Sequence, residues 1–372
     1  MRIFVNASSA VSGGGVTYLK ELIRWLPALA PGDEFLFAVP ETWPASPQPS
    51  NSRLLPIAPV GQGAWRRFLW ENGELKDQVT KAGADLLFCP ANVVPFLVPP
   101  VPLVVMLQNV APFYPRVRRL VARYEGRGAA LRQLLLEGLS VRAVRRADLV
   151  LFLSESSRRL LERREGRLAH RVIPHGRPAD FGPGRPRPAD APTGPYLLFV
   201  SNFYVYKGLE YLVEALQADP GLPPVVAVGE PFEAGFFRFL QERIRAAGVE
   251  GRIRFVGSVP HADLAGWYAH ARALVFPSWC ESFGMTPLEA MSCGCPVVAW
   301  RSGPVPEVCG DAAWYAGFPD IVSLGEALRQ AVAAGDDPLC RARAQARAAG
   351  FSWPGTMRLH LEAFRGVLAA GR

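Results

Sequence analysis

Short apolar runs alternate with segments of helical period along nearly the whole chain. Such alternation is typical of parallel β-sheets that are covered by helices. In the first half, strands are predicted at residues 3–5, 35–39, 54–57, 85–88, 103–107, 149–153 and 171–173. Helices are predicted at residues 16–26, 64–81, 128–146 and 155–164, and Ser154 is placed to cap the last of them.

The alternation stops at residues 178–195 and then restarts. This stretch, PADFGPGRPRPADAPTGP, holds six prolines and three glycines in eighteen residues, which indicates an interdomain linker. Beyond it, strands are predicted at residues 196–200, 225–228, 253–256, 274–276 and 297–299, separated by helices at 209–216, 233–247, 263–271 and 286–293. Three closing helices are predicted at residues 321–334, 339–349 and 353–368.

The pattern predicts an α/β protein with two doubly wound, Rossmann-like parallel-sheet domains. The first covers residues 1–177, the second covers residues 196–352, and the linker 178–195 acts as a hinge between them. A C-terminal helix within 353–372 is expected to cross back to the first domain. A length of 372 residues agrees with two domains, because a single hydrophobic core seldom grows so large.

The six cysteines include no C-x-x-C pair and no metal-finger spacing, so free thiols, no structural metal and a reducing, cytoplasmic location are expected. The opening residues lack the regions of a signal peptide, so export is not expected. The most apolar stretch, residues 93–107, holds four prolines and is too short to span a bilayer as a helix.

The formal charge of +8 is unevenly distributed. Residues 1–180 hold 24 Lys and Arg against 15 Asp and Glu, a net of +9, whereas residues 181–372 have a net of −1. Nine arginines lie within residues 116–146, where a helix is predicted to turn its leucines to the core and its arginines outwards. An anionic membrane surface is the expected partner of the first domain, while nucleic acid is not expected, because the arginines lie on a helical pattern with Tyr124 as the one aromatic residue among them.

A glycine-rich loop, SSAVSGGG at residues 8–15, follows the first predicted strand and opens the first helix. It fits neither the dinucleotide fingerprint nor the Walker sequence. Its three consecutive glycines, Gly13, Gly14 and Gly15, still permit close approach of the backbone to an anionic ligand.

Two further loops follow strands of the second domain, at the sheet edge where parallel sheets bind ligands. One is SNFYVYKG at residues 201–208, which places Lys207 just before a helix. The other is SWCESFGM at residues 278–285, which holds Glu281. Thr286, Pro287 and Glu289 then have the pattern of a helix capping box with proline at the first helical position.

The stretch from Phe276 to Asp320, FPSWCESFGMTPLEAMSCGCPVVAWRSGPVPEVCGDAAWYAGFPD, resembles the hallmark region of retaining group 1 glycosyltransferases of the family 4 type, which have the GT-B fold. The E-x7-E element is Glu281 and Glu289, and the P-E step is Pro306 and Glu307. The resemblance extends to the Lys207–Gly208 turn, to VIPHG at residues 172–176 and to the glycine loop.

The resemblance implies a substrate, a nucleotide diphosphate sugar, and no cofactor or metal. It implies that Glu289 binds the ribose, that Lys207 meets the diphosphate and that Glu281 holds the donor sugar. The remaining donor-site positions implied are Phe283, Gly284, Met285, Thr286 and Gly208. The first domain is expected to bind a glycan or lipid-linked acceptor in cell-envelope or exopolysaccharide assembly, with the glycine loop, Gln108, Asn109 and His175 around the reacting centre.

The chain departs from the family pattern at two places. Asn202 stands where relatives commonly have an arginine five residues before the lysine, and Arg177 is a candidate replacement for that charge on spacing alone. Gln108 and Asn109 stand where many relatives have histidine and aspartate, and neither side chain is a general base at neutral pH. This favours a mechanism in which the departing phosphate takes the acceptor proton.

Two alternatives stay open at this point. A sugar-nucleotide epimerase shares the two-domain fold but needs acid and base side chains around one sugar carbon, and of the five histidines only His175 lies on an expected cleft loop. A non-catalytic or weakly catalytic nucleotide-sugar-binding protein would explain Gln108, Asn109 and Asn202. Incubation with several sugar nucleotides separates transfer, isomerisation and binding alone.

Overall fold

The computed structural model describes residues 1–9, 13–44, 48–57 and 64–371, and it divides into two compact units. Unit 1 comprises Met1–Val110, Leu135–Gly176 and Ser352–Arg372. Unit 2 comprises Ala111–Leu134 and Arg177–Phe351. Each unit therefore collects separate stretches of the sequence, and the segment Ala111–Leu134 belongs to unit 2 although unit 1 flanks it on both sides.

Unit 1 is built on a seven-stranded sheet in the order β3-β2-β1-β4-β5-β6-β7, and all its pairs are parallel. The strands are β1 Arg2–Asn6, β2 Glu34–Pro40, β3 Ser52–Ile57, β4 Leu86–Cys89, β5 Leu103–Leu107, β6 Leu149–Phe152 and β7 His170–Val172. The central strands are buried on both faces, as expected for a parallel sheet covered by helices.

The helices of unit 1 are α1 Gly13–Leu29, α2 Ala64–Gly73, α3 Leu75–Lys81, α6 Glu155–Glu165 and α14 Trp353–Ala370. Helix α5, Arg127–Arg146, is divided between the two units. The predicted helix at 64–81 is two helices, because the helical run is interrupted at Glu74. The predicted cap is confirmed, since the Ser154 side chain accepts a hydrogen bond from the Ser157 N–H.

Unit 2 is built on a six-stranded parallel sheet in the order β10-β9-β8-β11-β12-β13. The strands are β8 Leu197–Val200, β9 Val225–Val228, β10 Ile253–Gly257, β11 Ala273–Phe276, β12 Val297–Trp300 and β13 Ala313–Ala316. The helices are α4 Pro115–Glu125, α7 Leu209–Ala218, α8 Ala234–Ala246, α9 Leu264–His270, α10 Met285–Ser292, α11 Val305–Cys309, α12 Ile321–Ala334 and α13 Pro338–Ala349. Both sheets have the doubly wound order, so the predicted fold class is confirmed.

Three elements of unit 2 were not predicted. Strand β13 has only four residues, mostly half-buried, and its existence depends on pairing with β12. Helix α4 buries only Val117 and Val121 within an arginine-rich run, so its apolar residues are too few for the sequence pattern to predict a helix. Helix α11 is a five-residue turn that begins after Pro304.

The proline-rich stretch 178–195 belongs to unit 2 and packs against other parts of it. The Arg185 carbonyl oxygen lies 2.9 Å from His270 Nε2, and Arg254 donates to the Asp190 carbonyl oxygen at 2.7 Å. A Cβ on Gly266 would lie 2.5 Å from the Pro186 carbonyl oxygen, so helix α9 approaches this stretch closely. These contacts fix where the stretch runs, and the hinge role proposed for it stays a prediction.

Helix α5 contradicts one expectation about its faces. Leu131, Leu134 and Leu135 were expected in the core, yet these residues are 56%, 48% and 60% exposed. The buried stripe instead contains Glu137, Ser140, Ala143 and Val144. Glu137 lies there because it pairs with Arg164, and Ser140 because its hydroxyl donates to the Leu136 carbonyl oxygen. Across the described part of the chain, no helix combines the length and the apolar character needed to cross a bilayer.

Candidate functional site

The loops that follow β8 and β11 bring Lys207 and Glu281 together. These strands are neighbours in the sheet of unit 2, so their carboxyl ends open side by side. Lys207 Nζ donates to Glu281 Oε1 at 2.6 Å, and the two side chains are only 17% and 15% exposed. Two hydrogen bonds to the Tyr206 carbonyl oxygen join the loops: the Trp279 N–H donates at 3.1 Å and the Ser278 hydroxyl at 3.2 Å.

Two aromatic rings lie beside this ion pair. The Lys207 ammonium lies over the Tyr206 ring at 5.4 Å and over the Phe276 ring at 5.8 Å. Burial, together with the Glu281 charge, raises the pKa of the Tyr206 phenol and of the Cys280 thiol, so both stay protonated at neutral pH. An ammonium has three donors, so a lysine paired with one carboxylate oxygen can also bind an anion.

Gly208 and Gly284 shape the two loops where they enter helices. Gly208 has a φ of 77°, and a Cβ there would lie 2.0 Å from the Pro277 carbonyl oxygen. Only glycine therefore lets the Lys207 loop lie against the end of β11. Gly284, with a φ of 119°, caps helix α10, which begins at Met285. The predicted capping box at Thr286 is wrong, because Gly284 takes the capping position and the Glu289 side chain bonds elsewhere.

Glu289 lies in a buried cluster on α10. Its Oε2 accepts a hydrogen bond from the Tyr268 hydroxyl at 3.1 Å, and its Oε1 lies 3.0 Å from His261 Nε2. The Phe181 ring packs on His261 at 4.8 Å and on Tyr268 at 6.0 Å. The ribose contact predicted for Glu289 stays a prediction, and His261 is the more exposed member of the pair, with 47% of its side chain accessible.

The other predicted donor-site residues occupy the same sheet edge or its margin. Met285 and Thr286 are half-exposed in the first turn of α10, whereas the buried Phe283 ring packs on Phe351 at 6.0 Å. Asn202 Oδ1 accepts from the Glu230 N–H at 3.2 Å, which joins the loops after β8 and β9. The Arg177 N–H donates to the Phe351 carbonyl oxygen, and the charge replacement suggested for its guanidinium stays a prediction.

In unit 1, Gln108 and Asn109 follow β5 and are organised by a residue that the sequence analysis missed. The N–H groups of both donate to Asn92 Oδ1, at 3.0 and 2.9 Å, and the Asn92 amide donates back to the Asn109 carbonyl oxygen. Gln108 Nε2 donates to the Pro90 carbonyl oxygen at 3.0 Å. Asn92 therefore fixes the backbone at this end of the sheet.

The remaining predicted residues of unit 1 lie at the start of helix α1 and in the segment after β7. Gly13, Gly14 and Gly15 form the first turn of α1, while residues 10–12 of the glycine loop lie outside the described residues. His175 is buried, with its ring 5.2 Å from that of Tyr18. Burial and the neighbouring His360 lower the pKa of His175 to about 3, so its imidazole is neutral. Its contact with an acceptor stays a prediction.

Glu71, a buried carboxylate of unit 1, was also missed. Glu71 Oε1 accepts from Asn6 Nδ2 at 3.2 Å and from the Ser8 hydroxyl at 3.0 Å. Burial raises the pKa of Glu71. Asn6 is the last residue of β1 and Ser8 follows it, and polar residues at the carboxyl end of a strand are a usable sequence signal. Nothing in the helical pattern around Glu71 distinguishes it from a surface glutamate.

Comparisons with known proteins show that this chain is similar to glycosyltransferases. Residues 185–349 match the family described as glycosyl transferases group 1. The O-antigen chain mannosyltransferase B of Escherichia coli is 33% identical over 178 residues, which are 46% of this chain and 45% of that protein. The chain spans about half the length, or less, of the curated relatives it matches.

Solved structures are similar over the whole chain. Sucrose-phosphate synthase from Thermosynechococcus elongatus superposes with a TM-score of 0.76 at 20% identity and covers 100% of both chains. HepE of Anabaena, solved in complex with UDP-glucose, has a TM-score of 0.72 at 19% identity and covers 98% of this chain and 100% of that chain. The chain thus has the GT-B fold, and the resemblance seen in the stretch from Phe276 to Asp320 is confirmed for residues 185–349, which match the group 1 glycosyltransferase family.

Proposed function

We propose that this protein is a retaining glycosyltransferase that moves a hexose from a nucleotide diphosphate sugar to a glycan or glycolipid acceptor. The observation that carries the proposal is the Lys207–Glu281 pair, which sits between two loops at the ligand-binding edge of the family-matched domain. The proposed setting is the assembly of cell-envelope polysaccharide, for which the similarity to an O-antigen mannosyltransferase is the support.

Lys207, Glu281 and the start of α10 have separate roles in the proposed reaction. Lys207 donates to an oxygen of the leaving diphosphate and offsets the charge that develops as the bond from the anomeric carbon to phosphate oxygen breaks. Glu281 holds the lysine in place and orients the donor sugar. The first N–H groups of α10 face the same edge of the sheet and favour an anion. A fixed ammonium in this position supports transfer without a metal.

The proposed retaining step needs no side-chain base, which agrees with Gln108 and Asn109, because neither side chain is a general base at neutral pH. In the proposed step, the acceptor oxygen bonds to the anomeric carbon on the face that the phosphate leaves. The acceptor proton passes to the departing phosphate oxygen, so no protein group changes its protonation state. Glu289 is proposed to bind the ribose by exchanging a contact with His261 or Tyr268.

The test is incubation of the full chain with UDP-glucose, GDP-mannose, ADP-glucose and dTDP-glucose, followed by NMR of the released or transferred sugar. Slow hydrolysis or transfer of at least one donor, with the product first formed in the donor's anomeric configuration, is expected. Isomerised donor would establish the epimerase alternative. Binding without turnover would establish the non-catalytic alternative, and an inverted product would refute retention.

A peripheral contact with the inner face of an anionic membrane is the second part of the proposal. The exposed side chains Leu131, Leu134 and Leu135, here named the leucine face of α5, lie at helical spacing beside the exposed Arg127 and Arg132. Insertion of a leucine contributes on the order of 1 kcal/mol or more, and each arginine near anionic lipid adds about 1 kcal/mol. Apolar and cationic groups on one helix face match a bilayer of anionic lipid better than a soluble acidic partner.

Co-sedimentation with phosphatidylglycerol–phosphatidylcholine vesicles tests the contact. Replacing the three leucines by serine should abolish binding, and replacing Arg127 and Arg132 by glutamate should make the remaining binding insensitive to salt. Leu339→Ser is the matched control, because Leu339 is 80% exposed on α13, far along the sequence from the leucine face. Equal binding by the triple serine variant and the control would refute a bilayer contact through α5.

A further inference from the structure

Helix α4, which belongs to unit 2, packs against helix α8 and places residues near the Lys207–Glu281 pair. A Cβ on Gly235 would lie 1.9 Å from the Tyr124 carbonyl oxygen, so α4 and the start of α8 are in close backbone contact. Glu125 Oε1 accepts from the Phe236 N–H at 2.9 Å, and the Tyr124 ring packs on Phe236 at 5.5 Å. The C-terminal end of α4 is thereby held in place.

The first turn of α4 covers the loop that holds Glu281. The Arg116 guanidinium lies 4.9 Å from the centres of both the Trp279 and the Phe318 rings. Its Nη2 donates at 2.7 Å to the hydroxyl of Tyr211, which lies in the first turn of α7. The Tyr114 ring packs edge-on against Trp279 at 6.2 Å. Arg116 thus links side chains from the β11 loop, from α7 and from the segment before α12.

Trp279 lies between Arg116 and the Lys207–Glu281 ion pair and contacts both of their surroundings. It stands two residues before Glu281, the residue is 7% exposed, and its backbone N–H donates to the Tyr206 carbonyl oxygen beside Lys207. Glu281 is also near enough to Tyr114 to add to the effect of burial on that phenol, whose pKa rises to about 12. A shift of Trp279 would therefore move Glu281 and Lys207 together.

We propose that Arg116 is a positioning residue for the donor site: by clamping Trp279, it holds the loop of residues 278–285 so that Glu281 stays on Lys207. This inference rests on the proposed function and deepens it. An arginine suits the role because its planar guanidinium stacks on two rings while it donates to Tyr211, which the compact ammonium of a lysine does not reproduce. The sequence analysis grouped Arg116 with the membrane-facing arginines, and the structure gives it a different partner.

The test compares Arg116→Ala, Arg116→Lys and Tyr211→Phe with the control Arg119→Ala, an exposed arginine on the same helix. Turnover is the hydrolysis or transfer of the best donor of the four-donor panel, and affinity is the Kd of the matching nucleotide diphosphate. Arg116→Ala should lower kcat at least tenfold with the nucleotide Kd changed less than threefold. Arg116→Lys and Tyr211→Phe should lower kcat about threefold, and Arg119→Ala should match the wild type.

A double-mutant cycle with Glu281→Gln separates positioning from a general loss of stability. If Arg116 acts through Glu281, Arg116→Ala should reduce the residual turnover of Glu281→Gln less than twofold. Equal fold losses in the two backgrounds, or unchanged kcat in a folded Arg116→Lys together with Tyr211→Phe, would overturn the inference. A wild-type chain that neither binds nor turns over any of the four donors would defeat the proposed function, and this inference with it.

Discussion

Removal of the Lys207 charge should destabilise unit 2 through the carboxylate that remains. Lys207→Met keeps most of the side-chain volume but leaves Glu281, which is 15% exposed, without its cation. Loss of one partner of a fully buried pair costs about 3–5 kcal/mol, and partial exposure reduces this to about 2 kcal/mol here. For a unit of this size, about 2 kcal/mol lowers the Tm by about 4–8 °C.

The second variant in this experiment is Lys207→Met with Glu281→Gln, which removes both charges. It should recover about half of the lost stability, because the amide needs no counter-charge. Thermal unfolding followed by tryptophan fluorescence measures both variants, and urea unfolding checks that the m-value is unchanged. Additive losses in the double variant would show that the two side chains are not coupled and would refute the reasoning.

The same Lys207→Met protein should bind nucleotide diphosphate more weakly. A hydrogen bond to a charged group contributes about 1.5–3 kcal/mol, so the Kd should rise about 10- to 100-fold. Isothermal titration with UDP and GDP measures this, and Lys76→Met, which changes a lysine of α3 in unit 1, is the matched control. An unchanged Kd in the folded variant would remove Lys207 from the donor site.

Three further predictions concern other residues of unit 2. Burial raises the pKa of Glu210 to about 7, so the folded state keeps this proton between about pH 4.5 and 7 and loses stability as pH rises through that range. Glu210→Gln should therefore raise the Tm at pH 8 and leave it unchanged at pH 4. A Tm shift at both pH values would contradict the assignment. Glu289→Gln preserves the shape of the His261 and Tyr268 cluster, so its Tm should stay near the wild type while the nucleotide Kd rises at least fivefold; equal Kd values would exclude a ribose contact. Gly208→Ala should lower the free energy of unfolding by several kcal/mol, because its Cβ would meet the Pro277 carbonyl oxygen. Gly221→Ala should lower it much less, because a Cβ there would meet only an Asp219 side-chain oxygen. Similar losses of stability in the two variants would refute the close-approach argument.

The sequence predicted the sheets well because their strands are continuous apolar runs. Parallel strands such as β4 and β5 are buried on both faces, so every position in them is apolar and their limits are visible. Short edge elements were missed because their stability comes from partners distant in sequence. Strand β13 is recognised only through its pairing with β12, and α4 only through its packing on α8.

The sequence predicted part of the candidate site, because some of its residues lie directly after predicted strands. Lys207 and Glu281 stand on loops directly after strands, and the rule that ligands bind at the carboxyl ends of parallel strands places such residues together. The side chains that support them come from elsewhere in the chain. Arg116 is 91 positions before Lys207, and His261 is 28 positions before Glu289, so neither spacing nor periodicity connects them to the site.

The faces of α5 show where pattern alone misleads. Its leucines have helical spacing and were assigned to the core, yet a glutamate and a serine occupy the buried stripe. An ion pair to Arg164 and a hydrogen bond to the Leu136 carbonyl oxygen satisfy those polar groups, and such partners are invisible in the sequence. The leucines left outside are then the observation that supports a membrane contact.

The central claim is that the Lys207–Glu281 pair forms the donor site, and a crystal structure of the full chain with a bound donor tests it most directly. The donor is whichever of UDP-glucose, GDP-mannose, ADP-glucose or dTDP-glucose binds most tightly. The account predicts a diphosphate oxygen about 3 Å from Lys207 Nζ, the sugar ring beside Glu281 and the ribose near Glu289. A donor bound elsewhere on unit 2, for example in the cavity lined by Arg185, Arg187 and Asp263, with the Lys207–Glu281 pair unoccupied, would contradict it.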